Sequence, residues 1–286
     1  MNTKYIAIFL AVIMVMSIMP FFFSGGSNGE TADNSVVDNS VVDAAGFESI
    51  PGEHVDHELN SLADGLAVTP EGVAFAEYVD IDSIRDTPLY LMMGNTSQLD
   101  SVYGVQVTKL YSAEYANQHS FNMHVINPEV IAFPYYLSED AYNGYYFASR
   151  GSDLYNVIGN PMLFGQQDRL EDVLDVMKGD ANASSDFSRL MEFVEPGAPV
   201  QQVMVVNDGF ADQYYFDLMF LDDSRLSRTT VYLNPTDGTR NNITAYAAEG
   251  PDKGLDYDIE SQEDILKVTV TLDSSDFYTF LGEPAW

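Results

Sequence analysis

Residues 5–23, YIAIFLAVIMVMSIMPFFF, contain no charged side chain, and this run constrains everything that follows it. At ~1.5 Å per residue it makes a helix of about 28 Å, close to the hydrocarbon thickness of a bilayer. The α-amino group and Lys4 precede the run, whereas Glu30, Asp33 and Asp38 follow it. A positive flank stays in the cytoplasm, so the rest of the chain is expected outside, held at the membrane through residues 5–23. Two outcomes remain open. Residues 1–23 form a single-pass transmembrane anchor, as the continuation through Phe21-Phe22-Phe23 favours, or they form a signal peptide. In the second case Pro20 ends the apolar helix, Ser24-Gly25-Gly26 offers small residues for cleavage, and the protein is secreted.

Charge narrows the partners. The 286 residues carry 44 Asp and Glu against 12 Lys and Arg, a formal charge of −32. Such a field repels phosphate backbones, so nucleic acid is excluded as a partner. It also opposes docking of the folded part on an anionic membrane. Self-repulsion of this size is relieved by screening, which fits a surface adapted to a salty exterior. Binding of divalent cations by the acidic surface is the competing explanation. The chain has no cysteine, which removes disulfides, thiolate catalysis and Cys-ligated metals. With 18 Tyr, 17 Phe and 46% hydrophobic residues, it has ample material for a core.

After the apolar run, residues 24–46 are small, polar and acidic, with DNSVV twice in tandem at 33–37 and 38–42. That composition cannot bury enough apolar surface to fold, so 24–46 reads as a flexible acidic tether. Residues 47–286 form the extracytoplasmic domain. Strand patterns occur at 72–81, 102–111, 200–207, 213–221, 229–235, 243–249 and 265–272, with a turn signature at Asn234-Pro235-Thr236-Asp237-Gly238. Leu170, Val173, Leu174 and Met177 recur at helical spacing, as do Phe187, Leu190, Met191 and Val194 behind Ser184-Ser185-Asp186. A short C-terminal helix is expected after Ser274-Ser275-Asp276, with Phe277, Phe280 and Leu281 inward. The fold class is α+β, with antiparallel sheets and helices packed on one face. Val79-Asp80-Ile81-Asp82-Ser83 echoes Val270-Thr271-Leu272-Asp273-Ser274, which suggests two related halves dividing near 158–165.

The stretch IGNPMLFGQQDRLEDVLDVMKGD (158–180) followed by SSDFSRLMEFV (184–194), together with YVDIDSIRDTPLY (78–90), resembles a pattern in exported α+β proteins of cell envelopes. The Asp-rich, Lys-poor exterior behind an N-terminal anchor is similar to surface proteins of methanogenic or salt-adapted archaea. The resemblance implies an α+β fold and an extracytoplasmic location, and it carries over no site residues.

EHVDHE (53–58) holds two of the four histidines. On a helix, His54, His57 and Glu58 fall at i, i+3 and i+4 and present two imidazoles and a carboxylate together, a ligand set suited to a divalent metal such as Zn²⁺, Ni²⁺ or Cu²⁺. Glu53 or Asp56 would orient an imidazole, and His119 or His124 would complete the site by folding back. The alternative is a solvated segment beside the tether. Asp80-Ile81-Asp82 and Asp256-Tyr257-Asp258-Ile259-Glu260 begin like calcium loops but lack the Gly and the closing Glu. Arg150-Gly151-Ser152 has no nucleophile-elbow signature, and neither a phosphate loop nor a dinucleotide fingerprint is present. Asn95, Asn182 and Asn242 open N-x-S/T sequons that export would expose to glycosylation. The aromatic run 133–147 is either a surface for sugar or protein, or strand residues half in the core.

These observations point to a membrane-anchored, extracytoplasmic binding or structural protein of the cell envelope without an evident catalytic centre. Its expected partners are cell-surface proteins or polysaccharide. A metal-binding protein or metalloenzyme built on His54, His57 and Glu58 is the alternative.

Overall fold

The computed structural model describes residues 44–277, apart from 88, 91–96, 118, 151–152, 207–208 and 223. The apolar run, most of the tether, Asn95, Gly151, Ser152, Phe280 and Leu281 lie outside the described residues. Among the described residues, no helix is long and apolar enough to cross a membrane.

The strands in chain order are β1 (Ala45–Gly46), β2 (Val55–Asp56), β3 (Val73–Asp80), β4 (Gln106–Tyr115), β5 (Ser120–Asn127) and β6 (Val130–Ile131). They continue with β7 (Tyr136–Leu137), β8 (Phe147–Ser149), β9 (Leu154–Val157), β10 (Gly159–Asn160) and β11 (Met162–Gln166). The series closes with β12 (Val200–Val205), β13 (Gln213–Asp222), β14 (Arg225–Leu233), β15 (Leu255–Gln262) and β16 (Ile265–Asp273). Twelve of them form one antiparallel sheet in the order β15-β16-β14-β13-β12-β3-β4-β5-β11-β9-β8-β7. Strands from 73–166 fill one side and strands from 200–273 the other, joined without a break where β3 pairs with β12. The edges are guarded differently. The outer strand β15 is long and carries exposed Asp256, Asp258 and Glu260, whereas β7 is two residues long.

Consecutive residues of a strand point to opposite faces, and the sheet buries both. On one face, Tyr78, Tyr111, Met123, Leu163, Val203 and Tyr215 lie under the helices Leu62–Leu66, Gln167–Lys178 and Ser188–Met191. On the other, Val79, Leu110, Ile126, Met162, Val200 and Tyr232 share a cluster with Ile81 and Ile84, Leu99 and Tyr103, and Ile243. These belong to the helices Ile81–Ile84, Ser97–Tyr103 and Asp237–Glu249.

The protein is therefore mostly β, with one large antiparallel sheet and a few helices. The helices cover both faces, not the single face expected, because the strands present apolar side chains on both. The helix Gln167–Lys178 forms where the periodicity puts it and buries Leu170, Val173 and Leu174. It stops at Gly179, whose left-handed φ of 80° suits a residue without a Cβ. The second periodic stretch yields only Ser188–Met191. Residues 243–249, which alternate like a strand, instead end the helix Asp237–Glu249. The expected turn at 234–238 starts that helix, with the Thr236 hydroxyl accepting from the Thr239 amide. After β16, a 3₁₀ turn (Ser274–Asp276) leads to buried Phe277. Ala45–Gly46, read as the end of the tether, pairs with β6. The echoed VDIDS and VTLDS segments share a local device. Asp80 accepts from the Ser83 amide (3.1 Å) and Asp273 from the Ser275 amide (3.0 Å), each closing a strand by capping a turn.

Candidate functional site

EHVDHE is extended, so the helical spacing that would gather its side chains is not realised. Val55–Asp56 pairs in parallel with β10, and side chains alternate along it. His54 Nε2 donates to the Ile50 carbonyl (3.1 Å) and His57 Nε2 to the Asp64 carbonyl (2.9 Å), while Glu58 is exposed. Both imidazoles thus tie this segment to nearby backbone. Gly159 of β10 makes the close approach feasible, since a Cβ there would fall 2.2 Å from the Val55 carbonyl oxygen. His119 sits in the β4–β5 hairpin, 3.7 Å from the Asp168 carboxylate, and His124 is buried within β5. Among the described residues, no three His, Asp or Glu side chains assemble as a metal-ligand group.

A different set of polar groups is brought together by strand register. Asn156 of β9 pairs with Phe164 of β11, Phe164 with Asn122 of β5, and Asn122 with Ser112 of β4. Ser112 pairs with Glu77 of β3, and Glu77 with Gln202 of β12. These residues form one row across six strands on a single face, about 24 Å long at ~4.8 Å per strand. All of them are buried. Sheet interiors are ordinarily apolar, and buried polar atoms are ordinarily paired. Among the described residues, Ser112 Oγ and Asn122 Oδ1 have no partner, and the Glu77 carboxylate accepts from Gln202 Nε2 at 3.4 Å. Burial, followed by the neighbouring Glu114 charge, pushes the Glu77 carboxyl up to about 8. Glu114 lies two residues beyond Ser112 on the same face, and burial raises it as well.

At the β9 end the row runs into a second cluster. Arg150 Nε donates to Asn156 Oδ1 (3.1 Å) and Nη1 to the Val102 carbonyl (2.7 Å). Its guanidinium lies 3.5 Å from the centre of the Phe133 ring and 4.9 Å from that of Tyr103. Asn156 Nδ2 donates to the Tyr103 oxygen (3.3 Å), which leaves the Tyr103 hydroxyl proton for His124 Nδ1 (2.6 Å). The His124 ring proton then sits on Nε2, which is buried without a partner, as is Arg150 Nη2. Burial, helped by the Arg150 charge, holds the His124 pKa down at about 3, so the ring is neutral.

The opposite face shows how this sheet satisfies buried polar groups elsewhere. Gln201 Oε1 accepts from the Leu62 amide (2.8 Å) and its Nε2 donates to the Ala198 carbonyl (3.0 Å). Asp217 accepts from the Tyr215 hydroxyl (2.9 Å) and the Thr229 amide (3.0 Å). Elsewhere, a cleft of about 220 Å³ between Asp80, Ser83, Pro199 and Phe220 is small for an organic ligand, and Asp80 is already engaged as a cap. In the aromatic run, Phe133, Tyr145 and Phe147 are buried and Tyr136 is exposed on the edge strand β7. Asn182 and Asn242 are exposed, the latter on a helix.

Sequence reasoning passed over the row because its members look like the solvent-facing half of alternating strands. Its one local signal is Glu77, set inside GVAFAEYVDI (72–81).

The family model AF_2048_N, a family N-terminal domain, matches residues 58–178. That segment runs from just before the helix Leu62–Leu66 to the end of the helix Gln167–Lys178 and holds every polar member of the row except Gln202. No curated protein matches the chain. Among solved structures, crystal form III of TP0453 aligns with a TM-score of 0.49 at 12% identity, covering 80% of this chain and 98% of that one. Crystal form I of TP0453 aligns with a TM-score of 0.43 at 9% identity, covering 76% and 96%.

Proposed function

We propose that this chain is a membrane-tethered, extracytoplasmic binding protein of the cell envelope, and that it holds a ligand at the polar row of its sheet. The observation that carries the binding site is a buried run of side chains in register, with Ser112 Oγ and Asn122 Oδ1 left without partners among the described residues. Leaving such groups unmade costs about 1–3 kcal/mol each, whereas apolar side chains of the same shape would cost nothing. A ligand supplying the missing partners accounts for their presence. Binding is favoured over catalysis because, among the described residues, the Ser112 hydroxyl is hydrogen-bonded to neither of the neighbouring carboxyl groups, and His124 is enclosed and engaged by Tyr103. The location rests on the uncharged run 5–23 with its flanking charges, the acid excess and the lack of cysteine.

Fractionation tests the location. The full chain with a C-terminal tag is expected in the membrane fraction, its tag removed by protease added to intact cells. A soluble chain inside the cell, protected from protease, would overturn the reading.

A further inference from the structure

Around β3–β4–β5 the row offers oxygen atoms and little else. Glu77, Ser112 and Asn122 stand opposite one another on adjacent strands, with Cβ atoms about 4.5–5.5 Å apart. Glu114 follows Ser112 on the same face. Together they present two carboxylates, a hydroxyl and an amide oxygen. Among the described residues, the buried hydroxyl and amide oxygen have no partner, with Ser112 and Asn122 only 0% and 3% exposed. Among the described residues, neither Glu77 nor Glu114 forms an ion pair. The buried cation Arg228 on this face lies three strands from Glu77, about 14 Å, and Arg150 is associated with Asn156, four strands away.

Four occupants can answer this arrangement. Water would meet the hydroxyl and the amide but leave two carboxylates facing each other. A proton on a carboxyl would remove its charge and supply one O–H donor, enough for the Asn122 oxygen but not for the remaining carboxyl oxygens. A soft metal would want nitrogen or sulfur, and His124, the imidazole on this face, lies on the far side of Asn122 from Glu114 with Nδ1 engaged by Tyr103. A hard cation answers both demands, because it binds oxygen and carries charge. We propose that Glu77, Ser112, Glu114 and Asn122 bind a calcium ion. Its two charges match the two carboxylates, which one sodium ion would only half neutralise. Its tolerance of irregular geometry and retained water suits ligands fixed by strand register better than the strict octahedron of magnesium. This rests on the reading that the row holds a ligand, and it names that ligand.

The test uses the full chain in detergent at pH 8 and fixed ionic strength, melted in EDTA and in rising CaCl₂, with NaCl and MgCl₂ series alongside. Wild type, Glu77→Gln, Glu114→Gln and the surface control Asp256→Asn/Asp258→Asn are compared. The expected result is a saturable rise of about 5–10 °C with calcium in wild type and the surface control. Both Glu variants should lose it. A rise shared by all four proteins would overturn the proposal in favour of diffuse binding to surface acids. The absence of any calcium effect would also overturn it, and Glu77→Gln in EDTA then separates two failures. If that variant melts higher than wild type, the row is still unmet and takes an uncharged ligand. If it melts lower, the row is a satisfied structural network, and the binding reading fails with the calcium site.

Discussion

Asp217 and Glu77 sit on the two faces of one sheet, two strands apart, each 3% exposed, and they are treated differently. Asp217 receives the Tyr215 hydroxyl and the Thr229 amide, and burial lifts its carboxyl only to about 6. Glu77 receives one long bond from Gln202 and is lifted to about 8. Desolvation is the leading cause for both, so the difference lies mainly in the donors supplied and in the second carboxylate beside Glu77. One face meets Asp217 and Gln201 with its own groups and, among the described residues, leaves one strand side-chain atom, Gln213 Oε1, without a partner. The other is left open at Ser112, Asn122, Glu77 and His124. Foldedness needs the first arrangement, and the second makes sense only with something added.

Removing Asp217 should have the largest effect. Asp217→Ala leaves the Tyr215 hydroxyl and the Thr229 amide without their acceptor and should cost about 3–5 kcal/mol in urea unfolding. Gln201→Ala should cost about 2 kcal/mol by the same assay, because the Leu62 amide at the start of a helix loses its acceptor. On the open face the sign weakens or reverses. Ser112→Ala removes a buried hydroxyl that has no partner among the described residues and should stabilise the protein in EDTA by about 1 kcal/mol. A loss there as large as that of Gln201→Ala would erase the contrast between the faces.

The parts legible in the sequence were those set by near neighbours. Leu170, Val173, Leu174 and Met177 mark a helix by spacing alone. The helix Asp237–Glu249 was hidden because it buries little more than Thr239 and Ile243. With no apolar stripe to read, the alternation Ile243, Ala245, Ala247 imitates a strand. EHVDHE misled for a related reason. His54 and His57 are neighbours only on a helix, and the segment is held extended by pairing with Gly159 and Asn160, a hundred residues on. The polar row was beyond reach, since its register joins residues 77, 112, 122, 156 and 202 through pairings that no local pattern encodes. Sequence composition showed an acid excess but could not separate Glu77 from the many carboxylates that face water.

The most direct test is urea unfolding of wild type and Glu77→Gln from pH 4 to 9 in EDTA. Glu77 keeps its proton in the folded protein up to about 8 but loses it near 4.5 when unfolded. Its folded pKa is raised, so its contribution is intact below the unfolded value and declines as pH rises through the folded one. The account predicts that the two proteins are alike at pH 4 and diverge as pH rises, with Glu77→Gln the more stable by about 2–4 kcal/mol at pH 8. A wild type that holds or widens an advantage over Glu77→Gln through pH 8 would mean that the carboxylate is satisfied by the protein itself. The open face would then be as complete as the other.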